Sequence, residues 1–298
     1  MKYPGLSIIG CEKLAGMYGV NEGIIDGKGT GVRHLFYDGF DLDLVHSAVT
    51  LIKDGDRIYY GNRMEKKAGH PVHGRPLDSY VEKGFCFSDT FEYEQLRKTD
   101  KAFGFGESSL GFSVDIENRL HIGRDIEVFA YVLLRPQKNM EASRQGDQVV
   151  AGGQHSQVSI RCEDPDKHFI VEEGPTGFIY RLTSAVLYDE AFEGPVRPLD
   201  TSLTGVLLGK KIHLPADGHV AFQWTMDFER SEEALHQRTQ SYPVGQAKDL
   251  ATAYWTGYLE AGHPAAHQTY GAQERINRIA IKSAMIGGFV PADLTGEL

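Results

Sequence analysis

The chain has 298 residues, of which 41% are hydrophobic and 24% are charged, so it is long enough to bury a core in one large domain or two smaller ones. Its net charge of −10 argues against a general nucleic-acid binder and against docking on an anionic membrane, because both need a surplus of lysine and arginine. The 34 glycines are typical of a protein with many tight turns.

The three cysteines and the N-terminal residues bear on the cellular compartment. Cys11, Cys86 and Cys162 are far apart in the sequence and form no CxxC pair, and a low, odd number of cysteines is typical of a reducing compartment. The first residues lack the apolar run of a signal peptide, and no segment has 18 consecutive apolar residues. We therefore expect a cytoplasmic protein without a membrane-spanning segment.

From the N-terminus to about Arg230 the sequence predicts strands separated by turns. Asp54-Gly55 is a hairpin signal between two apolar segments, Val45–Ile52 and Ile58–Gly61. The further predicted strands are Phe85–Tyr93, Gly111–Ile116, Leu120–Ile122, Ile126–Leu134, Gln157–Arg161, His168–Val171, Gly177–Leu182 and Val220–Phe228. Strands at this spacing predict an antiparallel sandwich or barrel rather than alternating βαβ units.

After Arg230 the hydrophobic period becomes helical. Ser231 precedes two glutamates, as an N-cap does, and Pro243 keeps this first helix short. The second helix is predicted from the apolar positions Ala247, Leu250, Ala251, Tyr254, Trp255, Tyr258 and Leu259, with Gly262 at its end. The third follows Pro264, has an inner stripe of Ile276, Ile279, Ala280 and Ser283, and ends at Gly287-Gly288. This hairpin either packs on the strands or begins a larger helical domain.

Two short segments suggest ligand sites but lack the complete pattern. Residues 104–109, GFGESS, are similar to a phosphate-binding loop, but no Lys-Ser/Thr follows and no βαβ unit surrounds them, so a glycine-rich turn is favoured. His70 and His73 are spaced like a metal-binding pair, but no third ligand lies nearby, so loop histidines are favoured over a metal site.

Two acidic groups also fall short of a functional pattern. Asp38, Asp41 and Asp43 lack the spacing of a calcium loop and its closing glutamate, which favours a solvated turn. Glu172 and Glu173 are adjacent on a predicted strand, so they point to opposite faces and cannot by themselves flank a glycosidic bond.

The remaining candidates favour structure over chemistry. His155 and Ser156 lack the G-x-S-x-G context of a catalytic serine, and Trp224 and Trp255 occupy apolar positions typical of a core or an interface. We therefore expect no catalytic residue, no cofactor-binding residue, no metal ligand and no cofactor in this chain.

The C-terminal part of the sequence resembles a known junction. ATAYWTGYLEAG, at Ala251–Gly262, and RINRIAIKSAMIGGFVPADLTGE, at Arg275–Glu297, resemble the region of family 15, glucoamylase-like glycoside hydrolases in which a β-supersandwich is followed by linker helices and an (α/α)6 barrel. The strand AFQWTMDFER, which leads into SEEA, is similar to the end of such a sandwich.

This resemblance implies a fold, two regions and a partner. Residues 1–230 would form an antiparallel β-supersandwich of the galactose-mutarotase type, and residues 231–298 the helical linker and first helices of an incomplete barrel. The catalytic glutamates of the family lie farther along the barrel, beyond Leu298, so none is carried over to this chain. We expect the chain alone to be inactive, its partner to be the missing C-terminal barrel, and a homo-oligomer to cover its apolar helix faces.

Three functions are compatible with such a sandwich. The favoured one is the non-catalytic N-terminal domain of a glucoamylase-like hydrolase acting on α-glucosidic or related oligosaccharides. A stand-alone mutarotase-type enzyme would need a carboxylate base and a histidine acid on one sheet face. A carbohydrate-binding sandwich without chemistry would need an exposed strip of aromatic side chains.

Overall fold

The structure is a computed structural model that describes residues 6–19, 31–39, 43–66, 72–173, 186, 202–261 and 271–284. These residues form two antiparallel sheets packed face to face, followed by three α-helices. The prediction of a mainly β sandwich with a short helical segment at the C-terminus is confirmed. No helix in these ranges is both long and apolar enough to cross a membrane.

The first sheet has ten strands among the described residues. They are β1 Leu6–Cys11, β2 Leu14–Gly19, β3 Gly31–Tyr37, β4 Asp43–Asp54, β5 Arg57–Tyr60, β6 Arg63–Lys66, β7 Val72–His73, β12 Arg124–Leu134, β16 Lys167–Glu173 and β17 Leu203–Leu214. The hydrogen-bonded order is β1-β2-β3-β4-β12-β17-β16, and β5, β6 and β7 continue in turn from β4. The sheet therefore places β12 beside β4, although a large part of the sequence separates them.

The second sheet has eight described strands. They are β8 Arg75–Glu82, β9 Cys86–Glu92, β10 Leu96–Phe105, β11 Ser109–Asn118, β13 Glu141–Gln145, β14 Gln148–Gly152, β15 Gln157–Cys162 and β18 His219–Glu229. Their order is β13-β14-β15-β18-β11-β10-β9-β8. The last strand before the helices, β18, thus lies in the middle of this sheet, between β15 and β11.

The main core lies between the two sheets and is built from alternate residues of the strands. Trp224 of β18 is fully buried there, stacks on Phe112 with ring centroids 3.8 Å apart, and donates its indole N–H to Thr50 Oγ1 at 2.9 Å. Because this bond runs from the second sheet to β4 of the first, the side chain joins both sheets and satisfies its one polar atom. The prediction that Trp224 is a core residue is confirmed.

The outer face of the first sheet carries a second apolar cluster. Phe129, Tyr131 and Leu133 of β12 pack there with Leu207 of β17 and with Val186, the one described residue between 173 and 202. Strand β12 is therefore buried on both faces. This double burial explains why the predicted strand Ile126–Leu134 is a continuous apolar run rather than an alternating one.

Local turn signals predict some connections correctly and one wrongly. Gly55 has a φ of +60° in the turn between β4 and β5, as the Asp54-Gly55 signal predicts. The predicted strand Leu120–Ile122 is wrong, because β11 runs on to Asn118 and a loop follows. Asn118 holds that loop: its amide donates to Ile122 O at 2.9 Å and its Oδ1 accepts from Leu120 N at 3.0 Å. The predicted strand Gly177–Leu182 lies outside the described residues.

The helices are α1 Glu232–Gln240, α2 Ala247–Glu260 and α3 Gly271–Ala284, with a 3-10 turn at Val244–Gln246 before α2. Ser231 Oγ accepts from Ala234 N at 3.2 Å, which confirms the predicted N-cap. Gly262, Pro264 and Gly287-Gly288, the predicted boundary residues, lie outside the described residues. The division of the chain into residues 1–230 and 231–298 stays a prediction.

Candidate domain interface

Helices α1 and α2 pack on the outer face of the second sheet, and α3 packs against β1 of the first sheet. Trp255 of α2 is buried, donates Nε1–H to Gly104 O at 2.7 Å, and stacks on Phe85 with centroids 6.2 Å apart. The apolar cluster at this contact contains Phe85, Cys86, Phe103, Phe105, Tyr242, Ala247, Ala251, Trp255 and Ile279. The sheet thus covers Ala247, Ala251 and Trp255 of the predicted α2 stripe, and Trp255 is an interface residue as predicted, whereas Leu250 is exposed.

A buried ionic network joins the connection between α1 and α2 to the sheet. Asp227 of β18 is fully buried and accepts hydrogen bonds from Ser109 Oγ at 2.7 Å, from the Tyr242 hydroxyl, and from Arg161 Nη2 at 3.1 Å. Arg161 Nη1 also donates to the carbonyls of Thr239 and Tyr242, and its guanidinium lies 4.5 Å from the centre of the Tyr242 ring. The network therefore fixes the end of α1 on the sheet.

The ionisation of Tyr242 reflects this environment. Burial, with the neighbouring Asp227 carboxylate as the next cause, raises the pKa of the Tyr242 hydroxyl well above its usual range. The hydroxyl therefore keeps its proton and stays a donor to Asp227 at neutral pH.

The glycine-rich segment 104–109 contains the end of β10, the turn at residues 106–108 and the start of β11. A Cβ on Gly104 would lie 2.1 Å from Gly10 O, so glycine is required for the close approach of β10 to β1. Gly106 has a φ of +60°, as a tight turn requires. The preferred interpretation of this segment, a turn, agrees with the structure, and the reason for its first glycine is packing between the sheets.

Helix α3 lies against β1 and stabilises the end of α2. A Cβ on Gly10 would lie 2.5 Å from Ser283 O, which shows how closely α3 approaches β1. Arg278 donates to the carbonyls of Leu259 and Tyr258 at 3.3 and 3.4 Å, so a cation satisfies the carboxyl end of α2. Ile279 and Ser283 are buried as the predicted stripe requires, but Ala280 is exposed.

The acidic cluster of the sequence is dispersed in the structure. Asp38 pairs with Arg230, whereas Asp43 forms an ion pair with Arg135 Nε at 2.7 Å and lies 2.9 Å from His34 Nδ1. Asp41 lies outside the described residues. Asp38 lies in a bend after β3, which agrees with the turn interpretation, whereas Asp43 is the first residue of β4 and is paired rather than solvated.

The other predicted candidates do not assemble into a site. His70 lies outside the described residues and His73 is exposed; nowhere in the described ranges do three His, Cys, Asp or Glu side chains group to hold a metal. Glu172 accepts from Ser202 Oγ at 2.8 Å, and the side chain of Glu173 is not described.

His155 and Ser156 are likewise separate. His155 is exposed, whereas Ser156 is buried and exchanges hydrogen bonds with the Gln137 amide at 3.0 and 3.2 Å. The Ser156 hydroxyl thus has a structural partner rather than a general base.

The thiols are equally unsuited to chemistry. All three cysteines are buried, and burial raises the pKa of each thiol, Cys11, Cys86 and Cys162, to about 12. A thiol that stays protonated at neutral pH is neither a nucleophile nor a metal ligand.

Three of the described histidines are not placed as the acid of a mutarotase-type enzyme would be. Each of the three is bonded directly to a carboxylate: His34 to Asp43, His121 to Asp217 and His213 to Asp125, with nitrogen–oxygen distances of 2.9, 2.8 and 2.9 Å. An acid and a base that act on one sugar must lie on either side of it, and a directly bonded pair leaves no room between them.

Comparison with solved structures finds proteins that are similar to this chain in fold. A bacterial glucoamylase in complex with acarbose matches 95% of this chain and 42% of its own, with 10% identity and a TM-score of 0.60. A galactose mutarotase-like protein from Lactobacillus casei matches 76% of this chain and 100% of its own, with 7% identity and a TM-score of 0.49. No family model and no curated protein matches the sequence.

At these identities the likeness establishes the fold alone. The chain shares with the bacterial glucoamylase a sandwich of two antiparallel sheets followed by helices. It spans less than half of the glucoamylase that it matches.

Sequence reasoning missed the Arg161–Asp227 pair. Its members are 66 positions apart, and no local pattern connects them. The one available signal is the alternation within β18, where Asp227 stands between the core residues Met226 and Phe228 and so points to the opposite face. A buried carboxylate on that face implies a cationic partner, but the sequence does not say which.

Proposed function

We propose that this chain is the N-terminal, non-catalytic part of a larger glucoamylase-like glycoside hydrolase that acts on α-glucosidic or related oligosaccharides. The observation that carries the proposal is the unequal coverage of the match, 95% of this chain against 42% of the glucoamylase. Since so little of this chain is left out, most of the helical segment lies within the matched part. The partner would then be a helical catalytic barrel that follows residue 298.

The site geometry supports a role in carrying that barrel. The buried network at Asp227 and the indole of Trp255 fix the helices to the sandwich from one side. On α2 and α3, Leu250 and Ile281 remain 38% and 55% exposed. These two apolar side chains are the part of the helices that a docked barrel would cover.

The described residues favour this role over chemistry within the sandwich. Their thiols are protonated, Ser156 is hydrogen-bonded to Gln137, and three histidines are bonded directly to carboxylates. A cytoplasmic location stays a prediction, based on the low, odd number of cysteines and on the apolar pattern of the first residues.

Hydrolysis assays on two preparations test the proposal. The purified chain is incubated with maltotriose, and the native protein is immunoprecipitated from its own cells with an antibody raised against this chain and given the same substrate. We expect no glucose from the purified chain and release of glucose by the immunoprecipitate. Turnover by the purified chain, surviving repurification, would show that the sandwich itself is the enzyme.

A further inference from the structure

We draw no further inference here: the strongest candidate, the buried cluster of Lys98, Asp89 and Asp100 on the inner face of the second sheet, rests only on the pKa of Asp100, which burial raises, because Lys98 Nζ already pairs with Asp100 at 2.6 Å, Asp89 accepts from Ser79 Oγ, and nothing in the described part of the chain points to a ligand between them.

Discussion

At the residue scale, Asp227 is the side chain on which the packing of the helices depends most. Asp227→Ala leaves the guanidinium of Arg161 buried without its counterion, which should lower the free energy of unfolding by about 3–5 kcal/mol. The matched control is Asp115→Ala on the adjacent strand β11, where a half-exposed carboxylate pairs with Lys101 and the loss should stay below about 1 kcal/mol. Urea denaturation measures both values, and equal losses would contradict the network.

The buried thiols predict a second residue-scale effect, at alkaline pH. Burial raises the pKa of Cys11 and of Cys162 from 9.0 to about 12, so above pH 9 the unfolded chain releases thiol protons that the folded chain keeps. Stability must therefore fall between pH 9 and pH 12, by about 1.4 kcal/mol per pH unit for each thiol. Urea denaturation across this pH range measures how steeply the free energy of unfolding falls with pH. Cys11→Ala removes one titrating thiol and should reduce this slope by about 1.4 kcal/mol per pH unit. An unchanged slope in that variant would show that the thiol ionises as readily in the folded state.

Residue types did not predict which charged side chains pair. Asp38 and Asp43 are neighbours in the sequence, yet their partners Arg230 and Arg135 come from other parts of the chain. Such pairings depend on the order of the strands, and no local pattern encodes that order.

At the scale of secondary-structure elements, two glycines differ in their surroundings: Gly104 lies in close contact with another strand, whereas Gly257 has open space around it. Gly104→Ala would place a methyl group against the backbone of Gly10, which cannot move without opening the contact between β1 and β10. We expect a loss of stability of at least about 2 kcal/mol. Gly257→Ala, on the exposed side of α2 with open space around it, should instead stabilise the chain by about 0.5–1 kcal/mol. Thermal unfolding of the two variants checks both signs; a neutral Gly104→Ala would contradict the described approach of the sheets.

Elements with local signals were predictable, and their arrangement was not. The turn at Asp54-Gly55 and the cap at Ser231 are set by neighbouring residues, so the sequence predicts them directly. Strand β11 was predicted too short because Asn118, a turn former by type, uses its side chain to hold the loop beyond the strand. The position of β18 between β11 and β15 follows from long-range pairing, which hydrophobic period alone does not determine.

At the scale of the whole molecule, the exposed side of the helices predicts self-association of the isolated chain. Ile281 is 55% exposed on α3, where the proposed barrel would cover it. We expect the chain alone to form dimers that Ile281→Lys weakens. Ile122→Lys, at a 72% exposed loop of the sandwich, is the control and should leave the dimers intact. Sedimentation equilibrium measures the association, and a monomeric wild-type chain would refute this prediction.

The fold class and the helical end were predictable because they depend on hydrophobic period and on residues near one another. The functional proposal needs more than fold, because a likeness at 10% identity shows the fold alone and one fold can serve several functions. Its central claim is that these residues belong to a longer hydrolase.

The most direct measurement is the mass of the native protein, by denaturing immunoblot of a fresh lysate of its own cells. The chain has a mass of 33.1 kDa and spans 42% of the glucoamylase that it matches, so we predict a band of at least twice that mass. A single band at 33.1 kDa would contradict the claim and place any catalytic barrel on a separate polypeptide, or remove it altogether.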